Sequence, residues 1–199
     1  MSIPKALLVK VQSILPSDKK RVALFGGSFN PPHLAHAMVA ISVLSVHDVD
    51  ELWILPTGDH PFGKTLAPFE DRMALCQAAF SDLPRVKVLE IEKWLPHPTY
   101  TVQTLEVLHQ AIANFEPKWV IGTDILDELH LWREPERLQA LSAFIILPRE
   151  GYKNQGILEH PLPNISSTEA RRRLAQNLSC EGFLSRQVLA EIKSRGLYT

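Results

Sequence analysis

The sequence predicts an α/β protein, a Rossmann-like doubly wound parallel sheet with helices on both faces. Three observations carry that expectation. Short apolar runs rich in β-formers alternate with segments whose apolar residues recur at helical spacing. The first run stops at Gly26-Gly27 and passes directly into a helix start. The segments that follow the runs hold hydroxyls, histidines and arginines, and in an open parallel sheet ligands bind outside the carboxyl ends of the strands.

In chain order, Leu7, Leu8, Val11, Ile14 and Leu15 recur at near-helical spacing, interrupted by Lys5 and Lys10. This predicts an amphipathic helix within an N-terminal extension, 1–20, ahead of a single domain at 21–199. The run is too short and too broken to span a membrane. Residues 22–25 read as the first buried strand. Pro31 and Pro32 then stop strand pairing and pre-set a helix on which Leu34, Met38, Ile41 and Ser45 share a face. Residues 51–55 are the second strand, 69–80 a helix with Glu70 and Asp71 in its first turn, and 86–91 the third strand. Thr101 is expected to cap a helix over 101–115, followed by strands at 119–122 and 143–147.

Composition narrows the function classes. The chain has 199 residues, 45% hydrophobic and 22% charged, enough for a proper core. A net charge of −1 argues against a protein built to hold long nucleic acid. Cys76 and Cys180 are the only cysteines and sit in no metal-ligand spacing, which suits a reducing, cytoplasmic setting. Neither nucleic acid nor a membrane is an expected partner, and nothing in the sequence fixes an oligomeric state.

The chemistry concentrates in four places. A glycine turn at Gly26-Gly27 lets a ligand approach the main chain, and the following helix offers free N–H groups and a positive dipole end to an anion. His33 and His36, three apart at that end, can donate to phosphate oxygens and are expected to gain charge as the phosphate arrives. Lys64 stands in the loop after the second strand. After the fourth strand, Gly122 permits close approach and Asp124 offers a carboxylate to ribose hydroxyls. Further on, Ser166, Ser167 and Thr168 precede a helical run bearing Arg171, a second helix N-terminus suited to an anion. Each piece alone has a plainer reading as a turn, a cap or a solvated side chain.

Taken jointly, Gly26-Gly27-Ser28-Phe29-Asn30-Pro31-Pro32-His33-Leu34-Ala35-His36 resembles the signature of the nucleotidylyltransferase superfamily, and in detail its nicotinate/nicotinamide mononucleotide adenylyltransferases. Ala35 stands where that family usually has glycine. Ile165-Ser166-Ser167-Thr168 with Arg171 resembles the superfamily's second signature, and Gly122-Thr123-Asp124 followed by Trp132 resembles the adenylyltransferase pattern. The resemblance runs from about Arg21 to Tyr198. It implies transfer of the adenylyl group of ATP to a pyridine mononucleotide, giving deamido-NAD or NAD and pyrophosphate. It also implies magnesium carried on the ATP phosphates, with no metal ligands from protein side chains. Gly26, Gly27, Ser28, Phe29, Gly122, Asp124, Ser167, Thr168 and Arg171 are then expected to bind ATP, and His33, His36 and Arg171 to act in catalysis. Lys64, Arg72, Trp94, Thr99 and Trp132 are expected to bind the mononucleotide, with Trp94 or Trp132 stacking on the pyridine ring. Two other readings stand beside this one: another transferase of the same fold, such as a phosphopantetheine adenylyltransferase or a cytidylyltransferase, and a non-catalytic nucleotide-binding module.

Overall fold

A computed structural model describes residues 3–15, 21–59, 65–149 and 162–199. Five strands, β1 (Arg21–Gly27), β2 (Glu51–Pro56), β3 (Val86–Val88), β4 (Glu116–Gly122) and β5 (Ala143–Leu147), form one sheet in the order β3-β2-β1-β4-β5. Every pairing is parallel. The order reverses at β1, so a crevice opens beyond the carboxyl ends of β1 and β4.

Alternation along the strands explains why both faces are covered. Val22, Leu24, Trp53, Leu55, Trp119 and Ile121 point to one face. There they meet α4 (Thr101–Ala111) through Val102, Leu105 and Leu108. Their neighbours Ala23, Leu52, Ile54 and Val120 point to the other face, toward α2 (Leu34–Val46) and α3 (Phe69–Phe80). The expected doubly wound sheet is therefore present. A third cluster joins Leu75 of α3 to α7 (Ser167–Ala175) and α8 (Arg186–Arg195) through Ala170, Val188 and Ile192. Between β4 and β5 lie the short α5 (Thr123–Leu126) and α6 (Pro135–Leu141).

The first helix, α1 (Lys5–Ile14), lies on α4 with Val11 fully buried and Gln12 Nε2 donating to Ala111 O at 3.2 Å. Among the described residues, no helix is long and apolar enough to cross a membrane.

Several boundaries differ from expectation for identifiable reasons. β1 continues through both glycines, because Gly26 and Gly27 still pair with Leu55 and Pro56. β3 ends at Val88, and the chain from Ile91 to Trp94 is a 3-10 turn. α4 is capped by Tyr100 and not Thr101: Tyr100 is extended, and its N–H donates to Gln103 Oε1 at 2.9 Å. The same helix stops at Ala111, since the chain turns at Asn114, with φ of 54°, to bury Phe115 before β4.

Candidate active site

The crevice beyond β1 and β4 is a cavity of about 750 Å³. One wall comes from Gly26, Ser28, Phe29 and Asn30 as β1 passes into α2, with His33, Ala35 and His36 behind them. The opposite wall holds Gly122, Asp124 and Trp132 after β4, and Arg149 after β5. Ser166, Ser167, Thr168 and Arg171 of the α7 N-terminus close it. Two helix N-termini thus open on one cavity, each turning the positive end of its dipole toward it.

His33 caps α2 from an extended backbone. Its main-chain N–H donates to His36 Nδ1 at 3.0 Å, and the two rings stack with centroids 3.7 Å apart. Because His36 Nδ1 accepts that bond, the neutral ring carries its proton on Nε2 and has one N–H to offer elsewhere. Among the described residues His33 Nδ1 is buried without a full hydrogen bond, and the capping box of α2 directs the His36 main-chain N–H at the His33 side chain. Burial pushes His33 down to about 4, with the Arg149 guanidinium adding to the shift, and the same causes together with His33 hold His36 well below its ordinary value. Both imidazoles are neutral near pH 7. Protonating His36 Nδ1 would cost the bond that it accepts from the His33 main-chain N–H.

The second signature is stitched to the first. Ser166 caps α7 by accepting from Glu169 N at 3.2 Å, and Ser167 Oγ donates to Pro31 O at 2.8 Å. Arg171 Nη1 donates to Asn30 O at 2.6 Å, while Nη2 reaches Thr168 Oγ1 at 3.3 Å. Asp124 does not stand free as a ribose acceptor: Arg149 Nη1 lies 2.5 Å from its Oδ2. A side chain at Gly122 would put a Cβ 2.2 Å from Asp124 Oδ1, so glycine there makes room for this carboxylate. Glycine at 26 is needed for packing as well as for ligand approach, because a Cβ would fall 2.6 Å from the Trp119 indole.

Of the expected ATP-binding residues only Gly27 is not in the cavity wall; its carbonyl takes Thr57 N–H. The mononucleotide set fares differently. Trp132 lines the cavity, and Lys64 lies outside the described residues. Arg72, Trp94 and Thr99 do not line it. Arg72 is buried and gives its guanidinium to three main-chain carbonyls, Ala67 O at 3.0 Å, Ser28 O at 3.0 Å and Gly58 O at 3.4 Å. Thr99 is buried with its hydroxyl 3.0 Å from Glu92 Oε2. Trp94 packs toward α1, its ring 4.3 Å below the Lys10 ammonium. Thr65, Leu66 and Arg149 are cavity residues that the sequence reading missed; Arg149 could have been found as the first cation after the fifth strand.

A parallel sheet with its cavity at the switch point, two helix N-termini opening on it and a stacked histidine pair in its wall define a nucleotide-binding α/β protein. Residues 24–173 match the cytidylyltransferase-like family model. A relative from Anaeromyxobacter sp. (strain K), named "Probable nicotinate-nucleotide adenylyltransferase", is 41% identical over 192 residues, covering 92% of this chain and 98% of its own length. One of the same name from Myxococcus xanthus (strain DK1622) is 38% identical over 89% of this chain and 94% of its own. The fold resembles that of Plasmodium falciparum nicotinic acid mononucleotide adenylyltransferase complexed with NaAD, with a TM-score of 0.76 at 21% identity over 90% of this chain and 97% of the other. The chain belongs to the nicotinate-nucleotide adenylyltransferase family, within the cytidylyltransferase-like group.

Proposed function

We propose that this chain joins ATP to nicotinate mononucleotide, giving deamido-NAD and pyrophosphate in NAD biosynthesis. The observation that carries the reading is the neutral, stacked His33–His36 pair in the wall of a cavity that Arg171 also lines. The His36 Nε2–H, left over once Nδ1 accepts the His33 main-chain N–H, is a donor suited to a phosphate oxygen. The mononucleotide phosphate, already an anion, attacks the α-phosphorus of ATP as the bond to pyrophosphate breaks. No general base is needed, so the protein aligns two phosphates and spreads the developing charge. In this scheme Ser28, the adjoining amides and both histidines meet the α-phosphate, while Arg171, Ser167 and Thr168 hold the β- and γ-phosphates. Asp124, shared with Arg149, is placed for ribose hydroxyls.

Magnesium fits this site as an ion that arrives on the triphosphate. Among the described residues no three His, Cys, Asp or Glu side chains converge, and Asp124, the carboxylate in the cavity wall, is already held by Arg149. Bound to the phosphates, the ion would neutralise the leaving pyrophosphate.

The deciding assay is pyrophosphate release with ATP and magnesium, offering nicotinate mononucleotide, nicotinamide mononucleotide and phosphopantetheine in parallel. The reading expects the highest kcat/KM with the nicotinate form. Turnover with phosphopantetheine alone would move the chain to a neighbouring transferase, and ATP binding without turnover would make it a binding module. Trp132 is read as the stacking partner of the pyridine ring, a reading supported by its half-buried place in the cavity wall. Trp132→Ala should raise KM for the mononucleotide about tenfold, the scale of one desolvated cation–π contact, and leave the KM for ATP within about twofold. Equal effects on both substrates would remove the stacking role.

A further inference from the structure

Tyr198 follows α8 in a left-handed backbone, φ of 61°, which a non-glycine residue keeps only where its surroundings over-determine it. What fixes it is visible. Gly196 ends α8, itself in the left-handed region, and Tyr198 packs against the cluster that α8 shares with α3 and α7. From there the Tyr198 hydroxyl donates to Asn30 Oδ1 at 2.7 Å. Burial pushes that hydroxyl above its ordinary value, so it remains a donor across the working pH range.

Asn30 is a junction. It is 3% exposed, and its Oδ1 also accepts from Ala67 N at 3.2 Å. Its main-chain carbonyl receives Arg171 Nη1 at 2.6 Å. A hydroxyl far along the chain therefore holds the residue that holds Arg171, and Arg171 of α7 and Tyr198 beyond α8 bond to the same asparagine. Cation and carbonyl would be free to separate if Asn30 turned, because Thr168 at 3.3 Å is the other side-chain partner of that guanidinium among the described residues.

We propose that Tyr198 is a positioning residue for nucleotide binding and transfer, acting through Asn30 to set the Arg171 guanidinium against the triphosphate. The proposal rests on reading Arg171 as a phosphate ligand. Tyr198→Phe keeps the packed ring and removes only the hydroxyl. It should weaken ATP binding, measured by calorimetry, about fivefold, the scale of one lost buried hydrogen bond, and lower kcat for pyrophosphate release by a comparable factor. The melting temperature should stay within about 3 °C of the parent. The decisive readout is the Arg171→Lys background, where the same tyrosine change should alter ATP affinity by less than about twofold, because residues acting through one network are not additive. Unchanged ATP affinity in Tyr198→Phe, or an equal loss with and without Arg171, would overturn the proposal. The calorimetric arm needs no acceptor, so a parent protein that binds ATP with this coupling and releases no pyrophosphate would count against the proposed reaction and leave the role of Tyr198 standing.

Discussion

His36→Ala should lower kcat by about 10²- to 10³-fold, the loss seen when one preorganised donor to a developing oxyanion is removed, while ATP affinity changes by less than about threefold. His36 Nδ1 is already taken by the His33 main-chain N–H, so the ring's free N–H is on Nε2. Burial keeps the ring neutral, and what the transition state would lose is a fixed donor rather than a charge. Alanine would also strand the His33 amide and weaken the start of α2, at a cost of about 1 kcal/mol. Glutamine separates the two effects. Gln103 shows the required geometry in α4, where its Oε1 accepts from Tyr100 N at 2.9 Å. His36→Gln should therefore recover the melting temperature lost in His36→Ala and leave turnover well below the parent's. Near-normal kcat in the alanine variant would end the catalytic reading of this histidine.

The fold was legible because its signals are local. Helix 69–80 and strand 143–147 fall where periodicity and punctuation put them, matching Phe69–Phe80 and Ala143–Leu147. The two stretches that wall the cavity were legible for the same reason: the residues from Gly26 to His36, and from Ser166 to Arg171, are each contiguous in sequence and occupy a single strand-to-helix or loop-to-helix passage. Which later segments reach the same cavity was not legible, because it depends on which strands are neighbours. β3 lies at the outer edge of the sheet, two positions from the switch point at β1. The passage that follows it does not bring Trp94 or Thr99 to the cavity, although both come after a strand as Asp124 does. β5 sits beside β4, which is why Arg149, two residues past its end, reaches Asp124. Chain order alone holds no record of that adjacency.

Arg72 is buried with its guanidinium spent on main-chain carbonyls, and the consequence is measurable. Arg72→Ala should destabilise the protein by about 3–5 kcal/mol, as removal of one member of a buried charged network does, lowering the melting temperature by roughly 10 °C for a chain of this size. Three carbonyls would lose their donor. Two of them, Gly58 O and Ala67 O, flank the connection that brings Thr65 and Leu66 to the cavity, and the third, Ser28 O, belongs to the phosphate turn. Gly58 is gripped from both sides, since its N–H donates to Glu92 Oε2 at 3.3 Å. Glu92 is buried, and burial pushes its carboxyl above the ordinary range even though Thr99, the Gly58 amide, Thr104 and the Arg72 charge each favour the ionised form. Without Arg72 that carboxylate would lose its nearby cation. Adding Glu92→Gln to Arg72→Ala should therefore cost less than the sum of the two single changes, by about 1 kcal/mol or more in urea unfolding. A substrate contact would behave differently, raising KM for the mononucleotide with the unfolding midpoint unmoved. Because Arg72 reaches carbonyls on both the phosphate turn and the β2–α3 connection, the structural role predicts that turnover with every nucleotide pair falls together, in step with stability.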